Sequence, residues 1–208
     1  LENVSKVYQE NRDKILGQAD QMRMVFRELN KKNAVLKQDL EPYVEKIINY
    51  TDEVNGGFKG APKFPLFNIY QTLLYFYNKS QNKKYLEPVT IILKQLCTRG
   101  IYDQVEGGLC RYATDENWTI PHFEKMLYDN AILAEAYLNA WKFTKKDRFK
   151  TICQEILEYI LRDMKHPEGA FYSAEDAETD GVEGAFYLWT KEEINEILPE
   201  DQFGLFCD

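Results

Sequence analysis

Asp52 to Phe58 reads DEVNGGF, Asp103 to Leu109 reads DQVEGGL, and Asp180 to Phe186 reads DGVEGAF. One pattern, Asp-x-Val-x-Gly-(Gly/Ala)-apolar, therefore recurs at intervals of 51 and 77 residues. A looser copy, HPEGAFY, runs from His166 to Tyr172. Each interval suits one helical hairpin plus a loop, so the repetition points to units that stack on one another. A single glycine in a turn is ordinary. Three copies of the same turn establish an architecture, although not a reaction.

Between the turns, apolar residues recur at the three, four and seven spacing of helices. Ile15, Met22, Phe26 and Leu29 predict a helix over Val7 to Leu29, and Leu40, Tyr43, Val44, Ile47 and Ile48 one over Leu36 to Tyr50. Further helices are expected over Leu66 to Tyr77, Tyr85 to Cys97, Phe123 to Trp141, Phe149 to Met164 and Lys191 to Leu198. LCRYATDENW and FYSAED…AFYLWT instead alternate with aromatic and β-branched residues, as short hairpin strands do. The expected fold is all-α, an α/α toroid with short β-hairpins in its loops, forming one domain over residues 1–208. An open solenoid is the alternative, but its repeats usually run to about 34 to 47 residues.

Asp and Glu outnumber Lys and Arg by 34 to 26, giving a formal charge of −8 and a pI near 5.0. That balance argues against a nucleic-acid partner, which requires a basic stripe. Lys31-Lys32, Lys83-Lys84 and Lys145-Lys146 read as solvated helix ends. No run approaches the roughly 18 apolar residues of a membrane span. LENVSKVYQE shows no signal peptide and no initiator Met, as expected of a chain cut from a longer protein. Cys97, Cys110, Cys153 and Cys207 show no CxxC and no zinc spacing, so they read as reduced, mostly buried thiols of a cytoplasm-like compartment. The acidic loop with Glu175, Asp176, Glu178, Asp180 and Glu183 lacks EF-hand spacing. No metal and no cofactor is expected.

Three longer motifs carry a resemblance. GGFKGAPKFP (Gly56 to Pro65), GIYDQVEGGLCRYATDENWTIPHFEKMLYDNA (Gly100 to Ala131) and PEGAFYSAEDAETDGVEGAFYLWT (Pro167 to Thr190) resemble, in order, the spermatogenesis-associated, thioredoxin-like proteins and their bacterial relatives. The resemblance implies a thioredoxin-like domain upstream, absent here, and a partial α/α toroid of the six-hairpin glycosidase-like kind, similar to those of N-acylglucosamine 2-epimerase, cellobiose epimerase and unsaturated glucuronyl hydrolases. The seven or so expected helices would make about half of such a ring, so self-association through exposed apolar faces is expected. The chain departs from the family in two places. Cys110 in GGLCRY stands where the family carries His in GGGFHRY, and Arg99-Gly100 stands where it has paired glycines.

The chemistry concentrates in WTIPHFEKMLYDN, Trp118 to Asn130, which holds one of only two histidines. Pro121 fits a first helical turn. On a helix, His122 and Asp129 would lie about 20° apart and two turns distant. Glu124 and Tyr128 would flank the other edge, and Lys125 could pair with Asp129. A sugar-epimerising site needs a group near neutral pKa to move a proton beside a carbonyl, and His122 suits. A glycosidase would need two carboxylates, for which Asp115, Glu124, Asp129, Glu175, Asp176 and Glu183 are candidates. His166 reads as a surface residue.

The expected site accordingly has His122 as proton carrier, with Asp115, Asp129 and Asp176 as polar cleft residues. Trp118 and Tyr112 would form the ring platform, with Arg111, Glu124, Tyr128 and Glu175 contacting a carbohydrate. The function expected is that of a carbohydrate-active domain, sugar isomerase, epimerase or glycosidase in kind. The alternative is a non-catalytic toroid that binds a partner, or presents substrates to the thioredoxin-like domain. PHFEKMLYDN would then be a packing signature.

Overall fold

A computed structural model describes residues 2–29 and 39–207. The chain divides into two units between Pro42 and Tyr43. In the first, α1 (Glu2–Glu10) and α2 (Arg12–Leu29) replace the single helix expected from Val7. They part at Asn11, whose side-chain amide donates to the Val7 carbonyl at 3.2 Å and competes with the backbone there. Met22 and Phe26 remain exposed. Leu36 and the Lys31-Lys32 pair lie outside the described residues.

The second unit is built on α3 (Glu41–Asn49), which ends the first unit and enters this one, and on two helical hairpins. α4 (Phe67–Ser80) pairs with α5 (Lys83–Leu96), and α6 (Leu127–Thr144) with α7 (Asp147–Tyr159). The hairpin turns follow from local chemistry. Gln81 and Lys145 close α4 and α6 in the left-handed conformation, and Asn82 caps α5 by accepting from the Lys84 N–H at 3.1 Å. Tyr70, Leu73, Ile92, Leu93, Tyr137 and Ile152 are fully buried between the hairpins. Ala134, Ala136 and Ala140 keep α6 slim at the centre, and the Tyr137 hydroxyl donates to the Leu93 carbonyl at 2.7 Å, tying one hairpin to the other.

Two copies of the repeated turn share one construction. Asp52 Oδ1 accepts from the Val54 and Asn55 N–H groups at 2.9 Å, and Asp103 Oδ1 from Val105 and Glu106 at 3.0 Å. Each turn is closed by a bridge between its flanks, Thr51 with Phe58 and Tyr102 with Leu109. The second oxygen of each Asp takes a buried lysine, Lys63 at 2.7 Å and Lys125 at 2.8 Å. The glycines are required by approach as well as by φ: a Cβ on Gly108, at φ +83°, would stand 2.7 Å from the Tyr159 ring.

The third copy is a different structure. Asp180 and Gly181, both with positive φ, form the two-residue turn between β5 (Glu178–Thr179) and β6 (Val182–Glu183), the Asp-Gly hairpin turn whose twist matches its strands. In DGVEGAF, glycine follows Asp directly, and the hairpin wins over the longer turn.

The expected helix from Phe123 is also corrected. β1 (Tyr112–Ala113) pairs with β2 (Pro121–His122), and β3 (Lys125–Met126) pairs with β4 (Ala174–Glu175). The backbone of 121–126 is thus committed to sheet partners, and α6 begins only at Leu127, after extended Met126. At the far end of α7, residues Ile160–Met164 form a π-helical turn where a continuous helix was expected. α8 (Lys191–Ile197) matches its periodicity, and α9 (Glu200–Cys207) was not foreseen. All four cysteines are free thiols; Cys97, Cys110 and Cys153 are buried. Among the described residues, no helix is long and apolar enough to cross a membrane.

Candidate functional site

Extended backbone alternates its side chains between two sides, and this decides where the residues of PHFEKM go. On one side Glu124 pairs with Arg111 and comes within 3.8 Å of His122, whereas Phe123 and Lys125 meet Tyr187 on the other. The helical reading, with His122 and Asp129 along one edge and Lys125 beside Asp129, does not hold. Lys125 is 1% exposed and bound to Asp103.

On the first side, three rings stack. Phe64 lies on Tyr112 with centroids 4.7 Å apart, and Tyr112 lies on His122 at 4.8 Å and an interplanar angle of 20°. Nδ1 of His122 is 2.7 Å from Glu183 Oε1. Its Nε2 is 3.8 Å from Glu124 Oε2, which accepts from Arg111 Nη1 at 3.0 Å. Next to this chain is a pocket of about 380 Å³, walled by Phe64, Leu66, Phe67, Arg111, Tyr128 and Asp129. Burial pushes the Asp129 carboxyl up to about 6; the Arg111 guanidinium works against this and Glu124 adds to it. Near neutrality, Asp129 can therefore both give and take a proton.

Arg111, Tyr112, His122, Glu124, Tyr128 and Asp129 thus come together. Four other expected residues lie elsewhere. Asp115 accepts from the N–H groups of Asn117, Thr119 and Ile120, closing the loop between β1 and β2, and those bonds lower its pKa although burial opposes them. Trp118 has no ring face open to a ligand. It is fully buried, its Nε1 donates to the Asn55 carbonyl at 2.8 Å, and its rings cover the Lys63 ammonium. Asp176 is exposed and accepts from the Glu178 N–H. Glu175 faces Tyr187 across the segment, at 3.4 Å from its hydroxyl.

Phe64 and Glu183 also belong to the arrangement; Glu183 was a candidate carboxylate, but neither was expected beside Tyr112 and His122. Phe64 stands in GGFKGAPKFP, so the motif carried a signal. Glu183 sits 61 residues from His122 in the chain, and nothing local announces their pairing. Among the described residues, no group of three or more His, Cys, Asp or Glu is arranged to hold a metal.

No family model matches the chain. It is similar to human spermatogenesis-associated protein 20, with 39% identity over 163 residues, 74% of this chain and 21% of that protein. The chain therefore spans about a fifth of the length of the curated relatives it matches. Among solved structures it resembles the cellobiose 2-epimerase of Spirochaeta thermophila, with a TM-score of 0.55 and 18% identity over 67% of this chain and 41% of that one. A sugar epimerase from a ruminal bacterium gives a TM-score of 0.55 at 17% identity, covering 68% and 38%. The fold is that of the epimerase α/α toroids, with short β-hairpins. The similarity to spermatogenesis-associated protein 20 supports the kinship that the three motifs imply.

Proposed function

We propose that this chain forms part of a sugar isomerase or epimerase centre that moves a proton at the carbon beside a carbonyl. The observation that carries the reading is Asp129 in the wall of a pocket beside Arg111, with His122 reached from Arg111 through Glu124. His122 is held on Tyr112 by stacking and by Glu183 through Nδ1. With Nδ1–H donated to Glu183, Nε2 carries the lone pair that removes the proton. Asp129, held near neutrality, is the partner that returns one. The electron pair of the broken C–H bond passes to the carbonyl oxygen, where the Arg111 guanidinium stabilises the developing charge. The likeness to epimerase toroids supports this at the level of fold, and a carbohydrate ligand suits a pocket of aromatic walls with few charged groups.

The packing of Lys125 and Asn130 favours a second reading, a non-catalytic toroid that binds a partner or serves a thioredoxin-like domain. Asn130 bonds Leu109 through both its N–H and its carbonyl, so much of the motif is structural. Deuterium exchange from solvent into aldoses and ketoses, by the protein at its full natural length, separates the two. Exchange beside the carbonyl, lost in His122→Ala and in Asp129→Asn, is expected. A folded protein that exchanges no sugar and makes no product would leave the binding reading.

A further inference from the structure

The helices that frame the Asp129 pocket carry it further. On α4, Asn68 stands in the pocket wall, and Gln71 and Asn78 follow it three and ten residues on. On α6, Ile132 stands in the wall, and Glu135 and Asn139 follow it at three and seven. Residues at such spacings share one helix face. The two stripes advance together, so α4 and α6 run side by side in one direction with a trough between them. Beyond the first pocket this trough opens into a second, of about 270 Å³. The Gln71 amide crosses between the helices and donates to Glu135 Oε2 at 3.0 Å. From Asn68 to Asn78 the trough is about 15 Å long, at the rise per residue of an α-helix.

The lining of the second pocket is polar but nearly uncharged. Glu135 is its one ionised group, and it already takes Gln71. The side-chain amides of Asn78, exposed, and Asn139, half-buried, are tied to no other residue among the described ones. A side-chain amide sets an acceptor and donors side by side, and two adjacent hydroxyls of a sugar ring match that pair. Phe143 adds an aromatic surface for the C–H face of such a ring. An anion would find no cation in this lining, and an ammonium would have to compete with Gln71 for Glu135. An extended peptide needs regular backbone partners, and paired helices keep their own N–H and C=O groups to themselves.

We propose that the α4–α6 trough is an extended carbohydrate subsite, and that its ligand is a glycosidically linked chain of two or more rings with one end in the pocket of Arg111 and Asp129. A single ring cannot touch Asn68 and Asn78 together across about 15 Å. The trough stands on its own lining; that the chain ends beside Asp129 rests on the sugar reading above.

The test is calorimetric or NMR titration of the protein at its full natural length with reduced β-1,4- and α-1,4-linked glucotrioses. Reduction turns the terminal carbonyl into an alcohol, so binding is read apart from turnover. Methyl β-D-glucopyranoside is the single-ring comparator, and capped trialanine the peptide one. At least one trisaccharide is expected to bind saturably and about tenfold more tightly than the single ring. Asn78→Ala and Asn139→Ala, with folding checked by thermal midpoint, should each cut that advantage about threefold or more, as for a lost neutral hydrogen bond. Equal affinity for one ring and three, an advantage indifferent to Asn78 and Asn139, preference for the peptide, or no trisaccharide binding would each overturn the proposal. If the trisaccharide binds through Asn78 and Asn139 while no aldose or ketose exchanges deuterium, the acid–base reading fails and the subsite stands.

Discussion

Lys125 places its ammonium 2.8 Å from the Asp103 carboxylate, with 1% of one side chain and 11% of the other exposed. Lys63 and Asp52 repeat the relationship at 2.7 Å. In both cases the lysine adds a bond to a backbone carbonyl, of Gly107 or Glu116, and lies against an aromatic face. The repeated turns are thus held by a duplicated buried ion pair, and each precedes a helical hairpin.

Removing one partner of such a pair leaves the other charged and buried. Lys125→Met is expected to cost about 3–5 kcal/mol, with Lys63→Met similar, measured by urea unfolding. A loss under about 1 kcal/mol, the value of an exposed pair, would show the pair to be solvated.

Acid should attack the same turns. The Asp52 carboxyl, with burial opposing, is drawn down to about 2 by its bonds to Lys63 and to the Asn55 and Val54 N–H groups, and Asp103 is lowered in the same way by Lys125 and its turn. A depressed carboxyl stabilises the fold above its ordinary pKa of 3.8, and that contribution is lost as the pH falls toward about 2. Asp52→Asn should be less stable near neutrality and flatten the fall in thermal midpoint across that window. An unchanged slope would refute the assignment.

Asp129 should behave in the opposite sense. Its carboxyl is raised to about 6, so the folded state binds the proton more tightly than the unfolded one. Its contribution is complete below 3.8 and declines as the pH rises through 6. Asp129→Asn should therefore gain on the wild type in thermal midpoint between pH 4 and pH 7. Parallel curves would mean that the carboxyl titrates as if exposed.

Trp118 is a core residue, and truncation should read as core damage. Trp118→Ala is expected to destabilise by about 3–5 kcal/mol. Trp118→Phe, which keeps a ring but loses the bond to Asn55, should cost less. Sugar exchange by the folded Trp118→Phe protein should equal that of the wild type; a fall would return the indole to the candidate site.

Gly56 tests the turn backbone. At φ +70°, a Cβ there would overlap the Cα of Ile92, whereas a Cβ on Gly60, at φ +101°, meets open space. Gly60→Ala should carry only backbone strain, about 1–3 kcal/mol, and Gly56→Ala more than that. Equal thermal midpoints would show that α5 yields to the extra methyl group.

Much of the helical architecture could be read from the chain, because periodicity at three and four records which face a helix buries, as in Tyr70, Leu73 and Leu74 of α4. The turn heptapeptide was equally legible in its first two copies. Its third copy misled, since the choice between turn and hairpin lay in one glycine beside Asp180. The start of α6 misled for a different reason. PHFEKM has apolar spacing compatible with a helix, but its backbone is claimed by Arg111 and Tyr112 on one flank and by Glu175 on the other.

The sequence alone determined that the chain is built of helical hairpins joined by glycine turns, because those features depend on neighbours a few residues away. It also marked the segment around His122 as the candidate site. Only the tertiary structure decided which side chains share a pocket. Strand pairing between distant segments sets whether a side chain faces one way or the other, and a shift from a period of 3.6 to a period of two sends Lys125 into the core while His122 turns toward Glu183.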